Sequence, residues 1–168
     1  MKFFVAFATG LSLIAHAQAA CPTVDEIRAW LRTNVQNVDK TVFYTSPSST
    51  SRDAQFYAQK IGGKYWGNVY PNEQYLDWLG ECGVGSAQDD LAPRMSEALA
   101  AETSDSAYIM LKKGVAPQPN SIFMKYEYPK LAGRVPVYVV NPADLDETQP
   151  WTPGTNWKRA VPFGDFPM

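Results

Sequence analysis

The feature of this sequence that most constrains its fold is a short apolar run followed by a turn and an amphipathic helix. Residues 41–44, Thr-Val-Phe-Tyr, carry no charge, as is typical of strands buried in a parallel sheet. A hydroxyl-rich turn follows over residues 45–51, and apolar residues at helical spacing then predict a helix over residues 52–61. A strand, a turn and a helix in this order begin an α/β unit, whose ligands bind beyond the carboxyl ends of its strands. Tyr44, Thr45 and Ser46 would lie at that edge.

The remaining patterns complete an α/β fold. Thr23 and Glu26 form a capping box that predicts a first helix ending near Asn34. Further helices are predicted over residues 73–79 and from Leu91 onward, and further strands over residues 107–111, 121–128 and 135–140. We therefore predict a small central, mainly parallel sheet of about four strands, with N-terminal and flanking helices.

The predicted strand over residues 121–128 contains the strongest candidate for a functional residue. Strand side chains alternate between faces, so this segment has one almost wholly apolar face and one mixed face. A carboxylate in such an apolar run must be solvated, paired or lining a cleft, and this makes Glu127 the candidate. The alternative is a wet face on which Glu127 pairs with Lys125 or another base. The predicted core face holds Ile122, Met124, Tyr126 and Tyr128, and the other face holds Ser121, Phe123, Lys125 and Glu127.

The first 19 residues have the pattern of a secretory signal peptide. A basic start and a short apolar run precede the cleavage signal Ala17-Gln18-Ala19. Lipoprotein processing at Cys21 is the alternative, although the preceding residues fit that signal poorly. We expect a secreted protein with one domain over residues 20–168, in which residues 141–168 form a segment rich in Pro and Trp. No other apolar run approaches membrane length, so no membrane association is expected.

Charge and residue usage exclude several functions for the secreted chain. Without Lys2 it has 14 basic and 17 acidic residues, a net charge of −3, which argues against nucleic acid as a partner. The single histidine, His16, lies in the signal segment, which excludes Ser-His and Cys-His catalysis and histidine metal ligation. No metal site is predicted. Cys21 and Cys82 are predicted to form a disulfide. It would close a loop of roughly 60 residues and so stabilise the fold by about 4 kcal/mol. A catalytic thiol is the alternative.

Three segments taken in order resemble the ADP-ribosyl cyclase / NAD glycohydrolase family. Residues 41–46 and the helix after them resemble the family strand that ends in Trp-Ser. Residues 95–111 resemble its serine-containing helix and the strand that follows. Residues 120–128 resemble its Ser-x-Phe-x-x-x-Glu segment, whose glutamate is catalytic. Two family features have no counterpart here: a second tryptophan, replaced by residues 90–92, and an acidic pair, whose place falls near Trp66. That acidic pair helps to decide between cyclisation and hydrolysis, so the resemblance leaves this outcome open.

The resemblance implies a site that cleaves the nicotinamide–ribose bond of NAD. Glu127 would stabilise the oxocarbenium-like transition state and hold the ribose hydroxyls, while Tyr44 would stack on nicotinamide. Trp66 would stand in for the missing second aromatic, with core packing as its alternative. NAD is then the substrate, and no cofactor is needed. The remaining implied residues are Thr45, Ser46, Ser96 and Ser121 as hydrogen-bond donors to phosphate or ribose, and Phe123 as a wall of the pocket.

The sequence therefore predicts a secreted NAD glycohydrolase that produces nicotinamide and ADP-ribose and acts as a toxin or effector. One alternative is a catalytically degenerate effector or binding protein of the same fold. Another is an unrelated secreted domain that binds carbohydrate through exposed aromatic residues. The sequence identifies no inhibitor or immunity protein as a partner.

Overall fold

The structure, a computed structural model, describes residues 21–83, 85, 89–155 and 157. The predicted signal peptide and the last part of the C-terminal segment lie outside the described residues. The strands are β1 (Lys40–Tyr44), β2 (Lys64–Tyr65), β3 (Ser106–Met110), β4 (Val137–Asn141) and β5 (Asp144–Pro150). The helices are α1 (Val24–Asn34), α2 (Ser51–Ile61), α3 (Trp66–Val69), α4 (Asn72–Cys82), α5 (Leu91–Glu102) and α6 (Tyr128–Leu131), with a π-helical segment (Phe123–Glu127) directly before α6.

The sheet confirms the predicted α/β class. Its strand order is β2-β1-β3-β4-β5. The first four strands run parallel, and only β5 runs antiparallel to its neighbour β4. The sheet thus has five strands rather than about four. β2 was not predicted because it has two residues, and β5 was not predicted because its mostly polar residues form an edge strand with little apolar alternation.

Alternation along the central strands builds two cores. One face packs on α2, and the other packs on α1, α5 and the π-helical segment. This two-sided burial explains why residues 41–44 lack charged side chains. The α2 face is made by Val42, Met110 and Val140, and the opposite face by Phe43, Ile109 and Val139.

Local signals read from the sequence set the ends of two helices. Thr23 caps α1, and its capping box with Glu26 is present as predicted. Thr50 forms an equivalent box with Asp53 at the start of α2. Gly62 ends α2 in the left-handed conformation with φ of 66°, which a residue with a Cβ rarely adopts.

The predicted strand over residues 121–128 is wrong, because this segment is helical. Its middle forms a π-helical turn in which the Tyr128 N–H donates to the carbonyl of Phe123, five residues earlier. The Ser121 hydroxyl caps the start of the segment by accepting from the Met124 N–H at 3.3 Å. Pro129 has no N–H to offer the carbonyl four residues before it, which favours such a local opening of the helix.

Helical geometry also rearranges the faces of this segment. Phe123 is 1% exposed and belongs to the core, whereas Ile122, predicted to be core, is 39% exposed. Lys125 lies in solvent and away from the buried side of the helix. Phe123 and Glu127 still share one face because positions i and i+4 coincide in both a strand and a helix. The predicted strand therefore placed Phe123 and Glu127 on one face correctly, although the segment is a helix.

The N-terminus and the C-terminal segment are tied to the rest of the domain. Cys21 and Cys82 are bridged, as predicted, across a sequence separation of 61 residues. Trp151 and Trp157 are buried in the larger core, and Trp151 lies 5.5 Å from Phe123 between ring centroids. Within the described part of the chain, no helix combines the length and the apolar character needed to cross a bilayer.

Candidate active site

A cleft opens where β1 runs beyond its short neighbour. β2 pairs only with Thr41 and Val42, so the edge of β1 at Phe43 and Tyr44 has no partner in β2. The chain turns into α3 directly after β2 and carries Trp66 to this edge. The shortness of β2 is therefore what leaves room for a site beside the sheet.

Four elements line this cleft, which has a volume of about 250 Å³. β1 forms one wall, Trp66 a second and α5 a third, and the π-helical segment with the residue before it closes the fourth side. Among the described lining residues, Glu127 is the one with an acidic side chain, and Ser96 is the one with an aliphatic hydroxyl. The lining residues are Val42, Phe43, Tyr44, Trp66, Ala92, Ser96, Leu99, Ile122 and Glu127.

The Glu127 carboxyl is buried without full hydrogen bonding. The residue is 6% exposed, and its Oε2 atom has no hydrogen-bond partner among the described residues. Burial raises the pKa of Glu127 to about 8, while hydrogen bonding from the Ser96 hydroxyl acts in the opposite direction. Without a charged ligand beside it, the carboxyl is therefore mainly protonated at neutral pH. A positively charged group next to it would favour the ionised form.

Aromatic rings flank the carboxyl. Tyr44 is 37% exposed at the rim, and Trp66 packs against Tyr70 and Tyr75 at centroid distances of 5.5 Å and 5.6 Å. Burial and then the nearby Glu127 carboxyl raise the pKa of the Tyr44 phenol, which stays neutral at physiological pH. Faces of aromatic rings attract cations and stack on planar rings. A buried carboxyl in a cleft that such rings also line suits a planar, positively charged ligand.

The structure brings together four of the residues predicted for the site, namely Glu127, Tyr44, Ser96 and Trp66. Ser96 reaches the cleft because α5 presents it on the same helical stripe as Ala92 and Leu99, at positions i−4 and i+3. That spacing is visible in the sequence and could have identified both neighbours. Ile122 was assigned to the wrong face and so was missed.

The other four predicted residues do not line the cleft. The Thr45 N–H donates to the Ser49 hydroxyl at 3.2 Å within the turn after β1, and Ser46 is exposed beside it. Ser121 donates its hydroxyl to the Gln118 carbonyl at 2.7 Å. Phe123 lies behind the cleft in the core, 6.1 Å from Phe43 between ring centroids. Contacts of these four residues with a ligand stay predictions.

The described residues contain no cluster of three or more His, Cys, Asp or Glu side chains that could hold a metal ion. The polar side-chain groups of the described lining residues are one carboxyl, one aliphatic hydroxyl, one phenol and the indole N–H of Trp66. Such a set can stabilise a developing positive charge and hold hydroxyl groups of a ligand.

Comparisons with known proteins give matches at the level of structure. No protein-family model and no curated protein matches the sequence. A crystal structure of ADP ribosyl cyclase complexed with N1-cIDPR is similar over 73% of this chain and 58% of that chain, at 17% sequence identity and a TM-score of 0.45. A crystal structure of Aplysia cyclase complexed with substrate NGD and product cGDPR is similar over 72% of this chain and 57% of that chain, at 18% identity and a TM-score of 0.49. The chain thus spans less than three fifths of either protein, and likeness at this level assigns no activity.

Proposed function

We propose that the protein is a secreted NAD glycohydrolase that cleaves the nicotinamide–ribose bond. The observation that carries this proposal is the Glu127 carboxyl, which is buried in a cleft that Tyr44 and Trp66 also line and whose Oε2 atom has no hydrogen-bond partner among the described residues. The nicotinamide ring of NAD is planar and cationic, and it suits a cleft whose lining includes the aromatic rings of Tyr44 and Trp66. The proposal also agrees with the sequence resemblance at residues 41–46, 95–111 and 120–128.

In the proposed reaction the bond between the anomeric carbon and the ring nitrogen breaks, and its electron pair leaves with neutral nicotinamide. Water adds to the oxocarbenium-like centre, so that NAD and water give ADP-ribose, nicotinamide and one proton. No acid is needed for the leaving group because it departs from a cationic ring. The ionised carboxylate of Glu127 stabilises the positive charge that develops on the ribose.

The charge of the substrate prepares the carboxyl for this role. Glu127 is mainly protonated without a charged ligand beside it, whereas the bound cationic ring lowers its pKa and favours loss of the proton. Ser96 supports the ionised form as a hydrogen-bond donor. We therefore expect binding of NAD to release a proton at neutral pH.

The test is incubation of the purified protein with NAD and chromatographic separation of the products. Nicotinamide with ADP-ribose is the expected result, and a cyclic nucleotide would instead indicate cyclisation. Glu127→Gln keeps the volume of the side chain and should lower kcat by about 100-fold or more. Glu97→Gln, on the same helix as Ser96 but not among the lining residues, is the matched control and should leave turnover near the wild-type value. Intact NAD at high protein concentration would refute the proposal.

The role of a toxin or effector is part of this proposal and needs its own assay. Production of the protein with its leader removed should deplete NAD in the host cell, whereas Glu127→Gln should not. Equal depletion by both forms, or depletion by neither, would contradict an NAD-consuming role in the cell.

A further inference from the structure

A second cavity lies at the carboxyl ends of β1, β3 and β4. Its volume is about 490 Å³, and it shares no lining residue with the Glu127 cleft. The turn after β1, the start of α2, the residues after β3 and the turn between β4 and β5 surround it. This edge of a parallel sheet is where α/β folds bind ligands. The lining includes Ser48, Thr50, Asp53, Lys112, Lys113 and Asn141.

Ser48 brings to this cavity a hydroxyl that has no hydrogen-bond partner among the described residues. The residue is 4% exposed, and within the described part of the chain its hydroxyl makes no hydrogen bond. Its neighbour Ser49 differs, since that hydroxyl donates to the Met110 carbonyl at 2.8 Å and accepts from Thr45. The Ser48 hydroxyl is therefore available to an occupant of the cavity.

A lysine ammonium and a helix N-terminus add hydrogen-bond donors to this cavity. Lys112 is exposed, and its ammonium pairs with no acid among the described residues, whereas Lys113 pairs with Glu147. The Asp53 carboxylate turns one oxygen toward Thr50, because its Oδ2 atom accepts at 2.8 Å from both the N–H and the hydroxyl of that residue. The N-terminus of α2, an 11-residue helix, adds its partial positive charge on the same side.

We propose that this cavity binds a phosphate-type oxyanion through the Ser48 hydroxyl, the Lys112 ammonium and the N-terminal turn of α2. Groups from three different elements would then hold the ligand, rather than a single helix end or a single surface lysine. Phosphate chemistry could come from a dinucleotide whose ring occupies the Glu127 cleft or from a separate phosphate-bearing molecule. The proposal does not depend on cleavage of NAD.

The test is a titration of the isotope-labelled protein with inorganic phosphate at constant ionic strength, followed by amide chemical shifts. Saturable shifts are expected in the first turn of α2 and around Lys112. Lys112→Ala should raise the Kd by about tenfold, as expected for loss of a charge-assisted hydrogen bond, and Ser48→Ala by several-fold. Lys130→Ala removes the same charge from α6, outside the cavity, and should leave the Kd unchanged.

Two results would overturn the proposal. One is the absence of saturable shifts, and the other is equal weakening by Lys130→Ala and Lys112→Ala, which would indicate unspecific attraction to the surface. Lys112 is exposed, so its replacement should not disturb folding even if that of buried Ser48 does. Addition of NAD to the phosphate-bound Glu127→Gln variant then assigns the source. Displacement of phosphate points to the dinucleotide, and simultaneous binding points to a separate molecule.

Discussion

Glu127→Gln should change how the stability of the protein depends on pH. A carboxyl with a pKa of about 8 in the fold, against 4.5 for an unperturbed one, binds a proton in the folded state that the unfolded chain has already released. The folded state therefore holds the extra proton between pH 4.5 and 8. Across this window the free energy of unfolding falls as the pH rises. The stability that the protonated Glu127 carboxyl contributes is fully present below pH 4.5 and is lost by the time the pH passes 8.

The size of the effect follows from proton linkage. A difference of one bound proton changes the free energy of unfolding by about 1.4 kcal/mol per pH unit. Between pH 5.5 and 7.5 the wild-type protein should therefore lose about 2–3 kcal/mol through Glu127. Glutamine has nearly the same volume and does not titrate, so the variant should lose none of this. Between pH 5.5 and 7.5 the free energy of unfolding should therefore fall by about 2–3 kcal/mol more in the wild type than in the variant.

Urea denaturation followed by circular dichroism at the two pH values measures this difference. Every other titrating group contributes in both proteins and cancels when the pH-dependent changes are subtracted. Glu73→Gln replaces an exposed carboxylate on α4 and should keep the wild-type pH dependence. Equal loss of stability in wild type and Glu127→Gln would refute the reasoning, because it would mean that Glu127 is ionised in the fold.

Three further predictions concern the cleft and the disulfide. Ser96→Ala removes the hydrogen bond that lowers the pKa of Glu127, so the pH–rate profile for NAD cleavage should move to higher pH than in the wild type. An unchanged profile would contradict this contact. Tyr44→Ala should raise KM for NAD by about tenfold while Tyr44→Phe keeps it, and an equal effect of both would show that the phenol rather than the ring acts. Cys82→Ser should lower the free energy of unfolding by about 4 kcal/mol because it opens a loop of 61 residues. Reduction of the wild type should match that loss, and a variant as stable as the oxidised protein would contradict it.

Much of the fold was readable because its signals are local. The capping box of Thr23 and Glu26, the uninterrupted strand at residues 41–44 and the glycine that ends α2 each act through neighbours a few residues away. The bridge between Cys21 and Cys82 followed from residue count, since the sequence has only two cysteines. Glu127 stood out because a carboxylate in an apolar segment needs an explanation in any secondary structure.

The tertiary structure decided what local patterns could not. Residues 121–128 have the composition of a strand, yet β-propensity mainly describes packing on a sheet surface, and here the segment packs as a helix beneath α5 and β1. The cleft exists because β2 stops after two residues and leaves the edge of β1 open, which no residue of β1 itself encodes. The sequence alone thus determined which side chains have unusual chemistry. Packing of distant elements decided which of them meet, because it depends on contacts between residues far apart in the chain.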